Sequence, residues 1–522
     1  MSLLAWCCVV LAQWIRWSYT QNAISTLLTL LGGMIGVTAF AKRDYLVRYP
    51  ISTVVMIGYV GCYFLLPPVA TIVSGVPLTN NLDHPVLVMV NAVACLLALL
   101  AAHTIYRRSS LLSYLRLVIT KKLYKPLHFF EAPSNVQLLL MGLIGLAATA
   151  YEILALGAFR QAHLGIKDRL IQGFYPAAYL PLVAVVRETV GGKRERDNKW
   201  YWIILSYIVL MVYVLLGSNS RFALLGIFAS IGLVYLYGIA AGIYKADAAL
   251  LRRTGLAVAA ALILSGPITD LAMTMVVVRN ERGAESPLAL VASTLRAYEN
   301  KNTVSRYKSL ASGLGTVYDE YYTGNLFFDR LCNLKYADNS ITLAKSLSKP
   351  AKTAFETEQL DRVLSELPAP FIHIIGIDVN KASAISKSAG DFLLYEATGM
   401  HGVLGTFYTG SLFGSGYALF GWWYPLFFAI IAFFVFALSD ALTISRLSKR
   451  GYRIPVLSPI VVVSFFTWCF LFTSAASGND SLAGVAGYLV RGWLQVAFVY
   501  GIIYWLTYWP SRWLHGRKTE AK

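Results

Sequence analysis

A chain of 522 residues that is 57% hydrophobic and only 14% charged, with a mean hydropathy of +0.58, is too apolar for a soluble domain, in which roughly a quarter of residues carry charge. The formal net charge of +18 suggests a nucleic-acid partner, but the distribution of the charge excludes one: basic residues sit in short loops between apolar runs, the pattern of the positive-inside rule. Cys332 is the only cysteine in the long polar region, which excludes an internal disulfide there.

Apolar runs near the roughly 20 residues that cross a bilayer as a helix recur along the chain. The expected fold is an all-α polytopic membrane protein. Spans are predicted at about 2–17, 22–41, 50–74, 86–106, 136–158, 173–190, 200–217, 221–244, 254–278, 417–443, 455–476 and 481–507, about 12 helices in all. Met1 to Trp17 has no basic leader region and no small-residue cleavage site, so it reads as a short first membrane segment.

Loops 42–48, 107–125, 187–199, 245–253, 446–453 and the tail from Arg512 hold 25 Lys/Arg against six acids. The intervening short loops 75–85, 159–172, 218–220 and 477–480 hold three. The basic side is expected to be cytoplasmic, with both termini on it.

An embedded charge needs a reason. Glu152 falls in the fifth predicted span, Asp270 in the ninth and Arg491 in the twelfth, all in the outer half. An ion pair of Arg491 with Glu152 or Asp270 would satisfy them. That pair reads equally as structure or as a polar floor under a substrate cavity. In "LLGSNSRFALLG" (Leu215–Gly226) a tight outer turn precedes Arg221, whose fork of donors suits phosphate oxygens. The alternative is an arginine reaching lipid headgroups. In "RNERGAE" (Arg279–Glu285), Arg279 and Arg282 stand at headgroup height, to anchor the helix or to hold a lipid-linked pyrophosphate.

Parity decides the next stretch. The basic loops 245–253 and 446–453 lie on one side, so 279–416 between them lies on the other, as one large extracytoplasmic domain. It holds 14 Lys/Arg and 14 Asp/Glu, so its charges balance. The expected division is an N-terminal bundle at 1–278, this domain at 279–416, and C-terminal helices with a basic tail at 417–522. Within it, "YDEYYTGNLFFDRLCNLKYADNS" (Tyr318–Ser340) sets Asp319, Glu320, Asp329, Arg330, Lys335 and Asp338 among Tyr318, Tyr321, Tyr322, Phe327, Phe328 and Tyr336. Aromatic faces beside carboxylates suit a carbohydrate site; they equally suit a helix packing its rings on the bundle. Asp319, Glu320, His373 and His401 are candidate general bases, with His84 and His163 further histidines outside or near the domain. Further on, "GMHGVLGTFYTGSLFGSGYALFG" (Gly399–Gly421) is apolar enough for another span, yet parity forbids a crossing. It reads as a re-entrant segment near 399–416 or as a loop into the next helix. No phosphate-loop, dinucleotide or Cys/His metal pattern occurs, and no inverted repeat is evident.

The run "DRLCNLKYADNS", followed by "GDFLLYEATGMHGVLGTFYTGSLFGSGYALFG", resembles the Wzy-type polymerases of bacterial O-antigen and exopolysaccharide, as does the topology over most of the chain. The resemblance implies a GT-C-like bundle in the inner membrane and a glycosyltransferase working on its periplasmic face. It implies a donor of undecaprenyl-pyrophosphate-linked oligosaccharide, no cofactor and no metal, and surrounding membrane lipids. A flippase and a chain-length regulator of the same pathway would be its partners. An Arg-x10-Gly pattern of some members is matched by Arg221 and Gly232, although Gly232 falls inside a predicted span. Arg221, Arg279, Arg282 and Arg330 are then leaving-group candidates, with Tyr321, Tyr322, Glu152, Asp270 and Arg491 as further substrate-binding candidates. A ligase-like or mannosyltransferase-like enzyme and a lipid-linked glycan flippase are the alternatives. The first outer loop, "WSYTQN" (Trp17–Asn22), lacks the acidic residue that many mannosyltransferase-like enzymes place there.

Overall fold

The computed structural model describes residues 3–156, 170–193, 197–217, 221–244, 287–300, 318–367, 386–447, 451–474 and 480–520, with single positions between them. It is a helical membrane bundle. Eight helical stretches are long and apolar enough to cross a bilayer: Thr20–Phe40, Pro50–Ser74, Pro85–Arg108, Asn135–Leu154, Leu170–Val190, Asn198–Gly217, Leu412–Asp440 and Leu482–Trp513. Leu3–Arg16 and Gly226–Ala240 are shorter apolar helices. The predicted span at 254–278 lies almost wholly outside the described residues.

Sequence explains the local breaks. Pro176 and Pro181 each remove an amide donor, and Tyr175–Val190 winds as a 3-10 helix with non-helical angles at Val186. This helix packs on Asn135–Tyr151 at very short range. A Cβ on Gly145 would lie 2.1 Å from the Ala178 nitrogen, so only glycine permits the approach. Gly232 has open space around it, so no packing demands its missing Cβ.

Three predictions change. The span expected at 455–476 is not one helix. Strand Arg453–Leu457 pairs antiparallel with Thr443–Leu447, and the short helices Pro459–Val463 and Phe465–Cys469 follow. Pro455 and Pro459, with serines at 458 and 464 competing for the backbone, break the run despite its hydropathy. The span expected at 417–443 is also different. Leu412–Phe420 and Tyr424–Asp440 form a hairpin, for a Cβ on Gly416 would meet the Tyr424 Cβ at 3.1 Å. In one continuous helix residues eight apart stand about 12 Å apart along the axis. Gly421, with φ 54° and ψ −140°, makes the reversal. The 17-residue arm Tyr424–Asp440 therefore crosses alone, over about 25 Å. The arm before it is inserted: Phe413 stacks on Tyr63, in the middle of the 50–74 helix, at 4.9 Å. The segment near 399–416 thus closes back on the bundle through its last residues.

The third change is at Arg491. It pairs with Glu366 at 3.7 Å and not with Glu152 or Asp270. The Glu152 carboxylate is buried and accepts from Gln172 Nε2 at 3.3 Å.

Hydrogen bonds sort the connections to two ends. At the basic end Arg43 donates to the Ala241 carbonyl, Arg446 to that of Phe130 and Arg187 to that of Pro133. Asp440 closes this end. It is fully buried and accepts from the amides of Ile51 (2.8 Å) and Ser52 (3.1 Å), the Ser52 hydroxyl (2.6 Å) and the Tyr106 hydroxyl (3.1 Å). The other end gathers 75–84, 318–346, 388–411 and 474–481.

Candidate functional site

The loop-rich end is built on a buried polar helix. Every residue from Leu334 to Ile341 is buried, although the run includes Lys335, Asp338, Asn339 and Ser340. Burial of so many polar groups requires partners. Asp338 accepts from the amides of Asp83 and His84, both at 2.8 Å, and so caps the 85–108 helix. Lys335 Nζ lies 3.7 Å from the same carboxylate. Asn333 accepts from the Ser474 amide, and Asn339 donates to the Asp319 carbonyl at 2.6 Å. Ser340 lies against Gly414, where any side chain would collide with it. This helix fixes the residues before it.

Among those residues the aromatic side chains divide. Tyr318, Tyr322 and Tyr336 are buried. The Tyr322 hydroxyl donates to the Leu78 carbonyl at 2.6 Å, so its ring packs on the bundle and is not open to a sugar. Tyr321 is 43% exposed, while its carbonyl accepts from Asn81. Asn81 holds a left-handed φ of 53°, a conformation that asparagine tolerates, and also donates to Asp319 at 2.5 Å. Asp319 is thus occupied by Asn81 and by the Tyr321 amide.

Glu320 and Arg330 are brought together. Arg330 Nη1 donates to the Thr409 hydroxyl at 2.6 Å, and the guanidinium lies over the Tyr336 ring at 5.1 Å. The nearest Glu320 oxygen is 4.0 Å from Arg330 Nη1, and the Tyr336 hydroxyl reaches Glu320 at 3.4 Å. Both charged side chains stay open, Arg330 at 41% and Glu320 at 36%. Arg330 is therefore held in place while its remaining donors face outward. The Tyr318 hydroxyl donates to the Thr409 carbonyl and closes the cluster from beneath.

Two aspartates set the loop that carries Thr409. Asp391, fully buried, accepts from the Gly405, Phe407 and Tyr408 amides and the Thr406 hydroxyl, and completes a capping box with Ser388. Asp480 accepts from the Gly390 amide at 3.4 Å and lies against Gly410. Burial pushes its carboxyl up from the ordinary value, against the opposing pull of Arg362 and the backbone amides. Sequence reading missed Asp391, Asp480, Thr409 and Arg362. The signal for Asp480 was a carboxylate in a four-residue outer loop; Asp391 showed as Ser388-x-x-Asp391, a capping box.

The other predicted site residues scatter. The His401 ring lies 4.9 Å from that of Tyr395, and no hydrogen bond or ion pair joins it to Glu320 or Arg330. His373, Arg279 and Arg282 lie outside the described residues, as does the Arg221 side chain, although Arg221 opens the helix Arg221–Ala240. Asp270 is partly buried in the little that is described of 254–278. A shallow opening lined by Glu188, Gly191, Gly192, Ile243, Arg446 and Val456 lies at the basic end. It offers no aromatic platform and is remote from the cluster. Among the described residues no group of His, Cys, Asp and Glu is placed to hold a metal ion.

No family model, characterised protein or solved structure matches the chain.

Proposed function

We propose that the chain is a glycosyltransferase of the bacterial inner membrane that joins undecaprenyl-pyrophosphate-linked oligosaccharide units into O-antigen or exopolysaccharide. The reading places the basic end in the cytoplasm, both termini with it, and 279–416 in the periplasm, with about 12 crossings. The observation that carries it is the half-open pair Glu320 and Arg330, fixed by Thr409 and Tyr336 at the loop-rich end.

The chemistry follows from a donor that is already activated. The bond between the anomeric carbon and the pyrophosphate oxygen breaks, and a hydroxyl oxygen of the incoming unit forms the new bond. Negative charge develops on the leaving pyrophosphate, where a preorganised guanidinium stabilises it. The hydroxyl proton passes to a carboxylate, for which Glu320 is the candidate. Arg221, Arg279 and Arg282 remain sequence candidates for the same anion. A flippase and a chain-length regulator would be pathway partners.

One observation favours transport instead. The 412–440 and 459–469 stretches are discontinuous, and broken helices line substrate paths in many transporters. The surface glycan of a deletion strain separates the readings. Single repeat units without long chains support a polymerase; complete loss of surface glycan supports a flippase or ligase. Complementation with Arg330→Ala or Glu320→Gln should leave single units. Normal chain length from both variants would sink the assignment.

A further inference from the structure

We propose that the helix after the 85–108 span is an in-plane membrane anchor that selects anionic phospholipid at the basic end. Ser110–Ile119 continues through a π turn at Thr120–Tyr124 and so forms one rod between two spans. Its buried side is short. Leu112 and Ile119 pack inward, and the Thr120 hydroxyl donates to the Ala441 carbonyl at 3.0 Å, which fastens the rod to the end of the 424–440 helix.

The outward side has two halves. Leu111 is 73% exposed and Tyr114 66%, and Leu115 and Leu117 are also exposed. Lys121, Lys122 and Lys125 follow, all exposed. Positions 111, 115, 118, 122 and 125 fall on one stripe at helical spacing. Apolar side chains for the acyl boundary thus lead directly into ammonium groups for headgroups, the arrangement of an interfacial helix. The charge is uncompensated. From Arg107 to Lys125 there are six Lys/Arg and no acid. Arg107 and Arg116 are engaged, by the Tyr45 ring and by the Arg48 carbonyl. The three lysines make no ion pair among the described residues. Uncompensated ammonium groups at an interface complement anionic headgroups and gain nothing from zwitterionic ones.

The test uses the full-length protein in detergent, with phosphatidylglycerol and phosphatidylcholine offered together and retained lipid read by native mass spectrometry. Phosphatidylglycerol should be retained preferentially, and the preference should fade as salt screens the charges. The combined Lys121→Gln, Lys122→Gln and Lys125→Gln variant should lose that preference by about tenfold or more. Arg453→Gln, at the same end but off the rod, should keep it. Equal retention of the two lipids by the wild type overturns the proposal. So does a preference that survives high salt, or one that the lysine variant keeps.

Discussion

The two ends of the bundle solve the same problem with different means. At the basic end a single aspartate, Asp440, receives two amides and two hydroxyls and ties three helices together. At the loop-rich end Asp329, Asp338, Asp391 and Asp480 each receive backbone amides of separate segments. The difference follows from backbone continuity. Long helices satisfy their own amides and leave orphans only at their termini. Broken helices and loops sunk into the bundle leave orphans throughout, and each needs an acceptor. The loop-rich end has its acceptors where reacting groups must be held still.

Removing the single pin should have the largest effect. Asp440→Ala leaves four buried donors without an acceptor and is expected to cost roughly 3–5 kcal/mol, read as thermal unfolding in detergent. A melting temperature equal to the wild type would mean that the basic end is held by packing alone. Arg330→Ala should act in the opposite way. Its side chain is half open, so stability should change by no more than about 1 kcal/mol, while polymerising activity falls roughly 10²–10³-fold. Arg330→Lys should recover only part, because a point charge replaces a planar fork. Asp391→Ala falls between the two: about 2–3 kcal/mol of stability, with activity lost because Thr409 no longer holds Arg330. Activity retained in that variant would uncouple the 405–411 loop from the site.

The smallest expected effect is a pH dependence. Burial raises the carboxyl groups of Asp329, Asp338 and Asp480 above the ordinary value of 3.8. The folded chain then holds protons that the unfolded chain has released. Stability from these groups is full below 3.8 and is lost as pH rises through the raised values. Melting temperature should therefore rise slightly between neutral and mildly acidic pH, and Asp480→Asn should flatten the profile. A profile that falls toward acid would show that other carboxylates dominate.

Legibility in the sequence varied with the physics involved. Hydropathy located the long spans, since the cost of exposing a peptide group to lipid leaves little choice of structure. It failed at 455–476, where prolines and serines outweigh an apolar composition. In Tyr318–Ser340 the charges and rings were visible, but their direction was not. Asp329 and Asp338 turned inward to cap backbone, whereas Glu320 and Arg330, of the same residue types, stayed open. Periodicity cannot separate these cases, because the acceptor and the amide it serves are far apart in the chain: Asp338 and Asp83 differ by 255 positions.

The sequence by itself determined that this is a helical membrane protein, where most of its spans run, and which loops carry its positive charge. Those properties are sums over local composition. Only the tertiary structure decided that Leu412–Phe420 doubles back at Gly421, that Arg491 meets Glu366, and that Glu320, Arg330, Thr409 and Asp480 belong to one end. Each of those depends on a contact between remote segments, and such contacts are set by which buried amide lacks a partner once the chain has packed.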